Sequence, residues 1–391
     1  MIKLKKLLFV IYKIVFRILG IIIPKNNKLV IFESFLGKQF SDNPRAIYEY
    51  LSVNYSGYKL LWSADRKAIS KFKILNIPFT KRFSLKWMFY MNRAGYWISN
   101  SRLPLWIPKP PRTTYVQTWH GTPLKKLGID IQEVRMPGTE TNQYKRNFTA
   151  EANKWDYLLS PNAYSTEIFK QAFQYDNKVI ESGYPRNDYL INHNYENEIN
   201  KIKSRLKIPF DKRVILYAPT WRDNQFYGRG RYKFDIQMDL ERMREELSDS
   251  YVILLRMHYL IAENINLSKF KGFAYDVSYQ EDIRELYLIS DVLITDYSSV
   301  FFDFANLKRP IIFYVYDIDE YREKIRGFYF DFENKAPGPL VKTTEGIIRQ
   351  IYLLTLDNKL SANYDEFYER FCYLEDGNSS KRVADIIFEN D

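Results

Sequence analysis

The chain contains three histidines, His120, His193 and His258, and two of them stand in stretches that could do chemistry. The stretch QTWHGTPLKKLG, residues 117–128, puts His120 at the end of a β-type run and directly before Gly121 and Thr122. A glycine there lets the backbone turn sharply and approach a ligand. An imidazole titrates near neutrality, so its placement suits general-base work, although a His capping its own turn would look the same. TPLKKLG predicts a helix start with Pro123 in the first turn, followed by Lys125 and Lys126. In LLRMHY, Arg256 and His258 alternate by two, so both leave one face of a strand as it ends. Arg222, in APTWRDN after Thr220, ends a neighbouring strand and could grip a phosphate bidentately. In ITDYSSVFFDF, Ser298 and Ser299 precede a helix predicted from Val300. Free N–H groups, two hydroxyls and the helix dipole could there hold a phosphate or pyrophosphate. Asp296 is placed to touch a ribose or glycerol hydroxyl, and Thr295 precedes it. Singly these residues also fit an ordinary Ser cap, an Arg–Asp pair or a satisfied His; together they point to phosphate chemistry. His193, in INHNYEN, reads as a solvated loop residue and serves as a control.

These stretches must be held by a scaffold, and the pattern is α/β with mainly parallel sheets. Strands are predicted at 29–33, 59–63, 96–99, 115–119, 157–160 and 179–182, then at 212–218, 251–256, 273–277, 292–295 and 310–314. Helices are predicted at 45–51, 240–247, 283–289, 300–307 and 345–354. A polar helical stretch near 192–207 marks a boundary, giving an N-terminal domain over 25–200 and a C-terminal domain over 201–391. The helical pieces at 364–374 and 380–388 could cross back onto the first. Ligands in open parallel sheets bind beyond the carboxyl ends of strands, where TWHGT, APTWRDN, LRMH and ITDYSS all fall.

The 391 residues suffice for two domains. A single cysteine, Cys372, excludes a disulfide framework or a Cys-built metal site and suits a reducing compartment. No paired metal-ligand spacing, dinucleotide fingerprint or P-loop is present, so neither metal nor cofactor is expected. Seven of the +11 net charges sit in residues 1–30, which carry no acid, so the basicity is a terminal feature and nucleic acid is not the expected partner. That terminus, MIKLKKLLFVIYKIVFRILGIIIP, is broken by Lys13 and Arg17 and lacks the ~20 apolar residues of a spanning helix. Wound as a helix, it gathers Lys3, Lys6, Lys13 and Arg17 in one arc of roughly 80° and Leu4, Leu7, Leu8, Ile11, Ile14, Val15, Ile18 and Ile22 in another of roughly 120°. Residues 1–24 therefore read as an amphipathic helix on an anionic membrane surface, with packing on the protein's own core as the alternative.

Taken in order, QTWHGTPLKKLG, SPNAYSTEIF, ESGYPRNDYL, YAPTWRDN, LLRMHY, IRELYLISDVLITDYSSVFFDFANLKRPIIFY and RGFYFDFENKAPGPLV resemble the CDP-glycerol glycerophosphotransferase family of wall teichoic acid synthesis. The likeness runs from about residue 29 to 376, and length and the start FESFLGKQFSDNPRAIYEYL look most like its single-module glycerol-phosphate transferases. The resemblance implies a GT-B fold, two Rossmann-like domains facing a cleft, and a peripheral enzyme on the cytoplasmic face of the membrane. The implied partners are CDP-glycerol and a polyprenyl-linked saccharide or glycerol-phosphate acceptor. It implies His120 as base, His258 on the donor phosphates, Ser298 and Ser299 on the pyrophosphate, and Arg222 and Arg256 lining the same cleft; Gly121, Thr122, Lys125, Thr220, Thr295 and Asp296 are further substrate-binding candidates. Lys38, Asp42, Asn43 and Arg186 are candidates for the acceptor side. The alternatives are a primase adding the first glycerol phosphate, a ribitol-phosphate transferase using CDP-ribitol, and a non-catalytic nucleotide-binding protein at the membrane surface.

Overall fold

A computed structural model describes residues 2–134, 139–220, 226–228, 231–232, 236–257, 267–280, 282–320, 327–357 and 359–388. The chain divides into two compact units: Met1–His120 with Asn142–Asp188 and Gly377–Asp391, and Gly121–Thr141 with Tyr189–Asp376.

The first unit is built on seven parallel strands, β1 (Asn26–Glu33), β2 (Lys59–Ala64), β3 (Phe79–Lys81), β4 (Ala94–Ser99), β5 (Thr114–Gln117), β6 (Tyr157–Ser160) and β7 (Lys178–Glu181), in the order β3-β2-β1-β4-β5-β6-β7. β4 is buried along its whole length and β1 over residues 29–33, as continuous apolar runs in a parallel sheet covered on both faces should be. Val30, Phe32, Trp62, Ile98 and Val116 form the centre of the core, with Phe32 stacked on Trp62. The order reverses between β1 and β4, and that switch point is where such sheets bind ligands.

The second unit repeats the plan with β8 (Arg213–Ala218), β11 (Tyr251–Leu255), β12 (Ala274–Asp276), β13 (Val292–Thr295), β14 (Ile311–Tyr314) and β15 (Leu340–Val341), in the order β12-β11-β8-β13-β14-β15 and all parallel. A short antiparallel ribbon, β9 (Phe226–Gly228) with β10 (Arg231–Tyr232), stands apart. Its switch point lies between β8 and β13.

A single cut near residue 200 does not describe these units. Residues 121–141 join the second because their backbone pairs there: Lys126 N–H donates to Gly327 O at 3.3 Å and Tyr329 N–H to Leu124 O at 2.9 Å. That pairing replaces the helix predicted from Pro123; Lys125 instead forms an antiparallel bridge with Phe328. Of the two C-terminal helices, Tyr364–Phe371 stays in the second unit, tied by Tyr364 Oη to Arg309 O at 2.9 Å. Ser379–Phe388 belongs to the first, where Asp188 accepts the N–H groups of Ser379 and Ser380 at 2.8 and 2.7 Å and Val383, Ala384 and Phe388 enter the core.

The N-terminal helix α1 (Ile2–Ile22) packs on the first unit by a face that the apolar arc did not include. Phe9, Tyr12 and Phe16 meet Trp106 at ring-centroid distances of 5.4, 5.7 and 6.1 Å, and Phe16, fully buried, also meets Trp87. The Leu/Ile arc points the other way and stays open: Leu7 is 56% exposed, Ile14 52% and Ile18 50%. Among the described residues no helix is long and apolar enough to cross a membrane.

Candidate active site

In the first unit the chemistry-bearing side chain is His120, three residues beyond β5. Its Nδ1 lies 2.9 Å from the carbonyl oxygen of Asn100, just past β4. A carbonyl can only accept, so Nδ1 carries the hydrogen and Nε2 holds the lone pair. Asn100 Oδ1 accepts the N–H of Phe35, just past β1, at 2.8 Å. His120 is thereby tied to the ends of β1 and β4, the two strands that flank the switch point. Its ring stacks on buried Trp119 at 4.7 Å and meets Phe35 edge-on at 5.9 Å. The residue is nonetheless exposed to solvent. Crowding by protein lowers its pKa below the ordinary 6.5, partly offset by the Asp42 carboxylate and the Asn100 carbonyl and reinforced by Arg186 and Arg102. A histidine neutral at physiological pH, with a free Nε2, is competent to take a proton.

The backbone around it is unusual. Phe35, Leu36, Asp42 and Trp119 have positive φ of 47°, 61°, 65° and 51°. Each non-glycine residue in that region costs on the order of 1 kcal/mol or more and persists only where its surroundings impose it. Asn43, fully buried, imposes part of it: Nδ2 donates to the carbonyls of Thr118 and Trp119, both at 3.3 Å, and Oδ1 accepts the N–H of Arg186 at 3.1 Å. Arg186 Nη1 in turn reaches Asp42 Oδ1 at 3.2 Å. Three of the four acceptor-side candidates are thus knitted to the turn that delivers His120; the fourth, Lys38, is exposed.

In the second unit the sequence candidates separate into two groups. Thr295 and Asp296, at the end of β13, are buried and serve the sheet. Thr295 Oγ1 donates to Ala218 O at 2.7 Å, and Asp296 Oδ1 accepts the N–H of Thr220 at 2.8 Å. Thr295 is fully buried, and its hydroxyl is committed to the end of β8. Arg256 follows β11, its N–H donating to Tyr217 O at 2.9 Å and its guanidinium to Ser278 O. Ser298 and Ser299, half-buried, precede the helix Val300–Phe304; Ser299 takes the cap position, yet its hydroxyl makes no cap bond. Gly121, buried, lies so close to Ser299 that a Cβ there would stand 2.7 Å from its Oγ, so no larger residue fits without displacing that serine. Thr122 is buried and Lys125 half-buried. Arg222 and His258 lie outside the described residues. Among the described residues no cluster of three or more His, Cys, Asp or Glu could hold a metal ion.

His193 is less solvated than its loop suggested: its ring stacks on Tyr189 at 4.3 Å and near Tyr195 at 6.2 Å. Sequence reasoning missed Asn100 altogether. No side-chain pattern could have revealed it, since what it offers His120 is a main-chain carbonyl that any residue possesses.

Two parallel-sheet α/β units of this order make a GT-B-like transferase fold. A UDP-N-acetylglucosamine 2-epimerase from Neisseria meningitidis, 15% identical, shares it at a TM-score of 0.54, which shows the fold alone. The particular family is given by sequence: residues 15–389 match CDP-Glycerol:Poly(glycerophosphate) glycerophosphotransferase, and the chain belongs to that family. It is 61% identical over 385 residues to a teichoic acid poly(glycerol phosphate) polymerase of Bacillus spizizenii, covering 98% of this chain and 97% of that one. It is 50% identical over 368 residues to a Staphylococcus aureus teichoic acid glycerol-phosphate transferase, covering 93% and 94%. Against the polymerase of Bacillus subtilis (strain 168), 62% identical over 367 residues, it spans only 49% of the relative's length. The wall teichoic acid polymerase TagF superposes with a TM-score of 0.89 at 42% identity, over 99% of this chain and 95% of that one.

Proposed function

We propose that the protein transfers glycerol phosphate from CDP-glycerol to a hydroxyl of a polyprenyl-diphosphate-linked acceptor. His120 Nε2 takes the proton of the acceptor hydroxyl. The acceptor oxygen forms a bond to the glycerol-bearing phosphorus as the bond to CMP breaks, and CMP leaves with the electron pair. Ser298, Ser299 and Arg256, with Arg222 and His258, are assigned to the donor phosphates, where positioned donors offset charge that grows in the transition state. The observation that carries this reading is the Nδ1 contact to the Asn100 carbonyl, which leaves Nε2 as the basic nitrogen. CDP-glycerol is favoured over CDP-ribitol by the level of likeness: 61% identity to a glycerol-phosphate polymerase against 34% to a ribitol-phosphate polymerase. The test is His120→Asn assayed for CMP release. Loss of a general base costs roughly 10²- to 10⁴-fold, with CDP-glycerol binding retained; wild-type turnover would sink the assignment. His193→Ala should keep wild-type turnover.

The same reading puts α1 on an anionic membrane surface at the cytoplasmic face. The support is its exposed Leu/Ile arc beside Lys13 and Arg17, on a helix already anchored to the body by its aromatic face. Ile11→Asp with Ile18→Asp should release the protein from anionic vesicles in sedimentation while sparing turnover of a water-soluble acceptor analogue. Undiminished sedimentation would remove the membrane claim.

A further inference from the structure

We propose that the Asp42–Arg186 ion pair, fastened to the His120 turn by Asn43, is a positioning device for the transfer. In it, Asp42 stabilises the imidazolium that forms on His120, and Arg186 holds that carboxylate in place and tempers its charge. The proposal rests on the reading of His120 as the base.

The geometry closes a ring of bonds. Helix α2 (Asp42–Asn54) begins with Asp42 in the left-handed region at φ 65°, its Oδ1 accepting from the N–H of Asn43 at 2.6 Å and from Arg186 Nη1 at 3.2 Å. Both side chains are largely enclosed, Arg186 5% and Asp42 11% exposed. Arg186 is further seated over the ring of Tyr184 at 4.3 Å. Asn43 Nδ2 then donates to the carbonyls of Thr118 and Trp119, and its Oδ1 accepts from the backbone of Arg186. Movement of the His120 turn would break these bonds, so the charge pair and the imidazole are fixed in one frame.

The charges that act on His120 come from three elements: Asp42 on α2, Arg186 on the segment Pro185–Asn187, and Arg102 on the loop after β4. The Asn100 carbonyl is neutral but accepts from the ring. When His120 takes a proton it gains a positive charge that Asp42 attracts and both arginines repel. Without Arg186 the carboxylate would raise the pKa of the imidazole and leave less of it neutral to act as the base. Crowding by protein keeps His120 neutral at rest, the Asp42 carboxylate offsets part of that cost when the proton arrives, and Arg186 limits the offset. Asp42, Asn43 and Arg186, candidates for the acceptor side, are bonded to each other and to the His120 turn.

The test is the pH profile of kcat/KM for CMP release from CDP-glycerol, whose acid limb reports the base of the free enzyme. Asp42→Asn removes the charge and still tolerates a left-handed backbone, which Asn adopts readily. Its acid limb should move down by about half a pH unit or more, with kcat lowered and both KM values within about twofold, since no substrate contact is lost. Arg186→Gln should move the limb up by a similar amount, and Arg186→Lys, which keeps the charge, should leave it near wild type. Arg186→Gln preserves the backbone N–H that Asn43 uses, so it is readable even if Asp42→Asn fails to fold; thermal melting reports which case holds. Limbs that stay put, limbs that move in the same direction, or a change confined to acceptor KM would overturn the proposal. In that event an inactive His120→Asn leaves the base assignment standing, whereas a fully active His120→Asn overturns both.

Discussion

At the switch point of the first unit, main-chain carbonyls and a buried amide aim an imidazole. At the switch point of the second, two strand-end side chains, Thr295 and Asp296, turn inward to join β13 to the end of β8. The topologies are alike, with strand order reversing beside a central strand in each. What differs, among the described residues, is which polar side-chain atoms the fold's own bonds leave open. The first unit leaves one ring nitrogen and surrounds it with left-handed backbone. The second leaves the hydroxyls of Ser298 and Ser299 one turn further on, and spends its more conspicuous carboxylate on the backbone of Thr220. A polar residue at a strand end is thus a candidate only until its own hydrogen bonds are counted.

The sharpest way to break this contrast is to exchange the fates assigned to the two groups in the second unit. Ser298→Ala with Ser299→Ala should raise the KM for CDP-glycerol by roughly 10- to 100-fold, the loss of one or two hydrogen bonds to a charged group at about 1.5 kcal/mol each. Melting temperature should change little, because neither hydroxyl caps the helix that follows. Thr295→Val should do the reverse. It leaves the Ala218 carbonyl buried and unmatched, a cost of about 1–2 kcal/mol in stability measured by urea titration, while donor KM stays within twofold. If Thr295→Val raised KM and left stability alone, the inward-facing assignment would be wrong.

The same distinction explains how far the sequence could be read. Periodicity gave β6 and β13 and the helices Leu240–Leu247 and Ile283–Ile289 to the residue, since each is a clean apolar run or stripe bounded by polar caps. It passed over β3 and β15, which are three and two residues long and join the sheets only as edge strands. It placed a helix after Pro123 where tertiary pairing with residues 327–329 wins, a competition that local propensity cannot see. Of the site, His120 and the serine pair were legible because their residue types are rare or mechanical in that setting. The direction of Thr295, the Asn100 carbonyl and the ring around Asn43 were not, because each depends on which backbone atom a folded neighbour presents. In α1 the arc residues Leu7, Leu8, Ile11, Ile14, Val15, Ile18 and Ile22 stand exposed. That the helix would anchor through Phe9, Tyr12 and Phe16 required knowing where Trp106 lies.

The smallest effect tests the first switch point without an activity assay. Burial lowers the pKa of His120 in the folded protein below the ordinary 6.5 of the unfolded chain. Between those two values the unfolded chain binds a proton that the folded one resists, so stability contributed by neutral His120 is full above the ordinary value and drains away as pH falls towards the folded pKa. A full proton would give a slope of about 1.4 kcal/mol per pH unit. His120 is exposed, so solvent screens the charge and a fraction of that slope is expected. Urea titrations of wild type and His120→Asn, taken from pH 7.5 down to about pH 5, should therefore converge as the pH falls, because the variant lacks the proton that penalises the wild type. Divergence on acidification would mean that the folded protein welcomes the imidazolium, that Asp42 outweighs burial, and that His120 rests charged rather than poised to accept a proton.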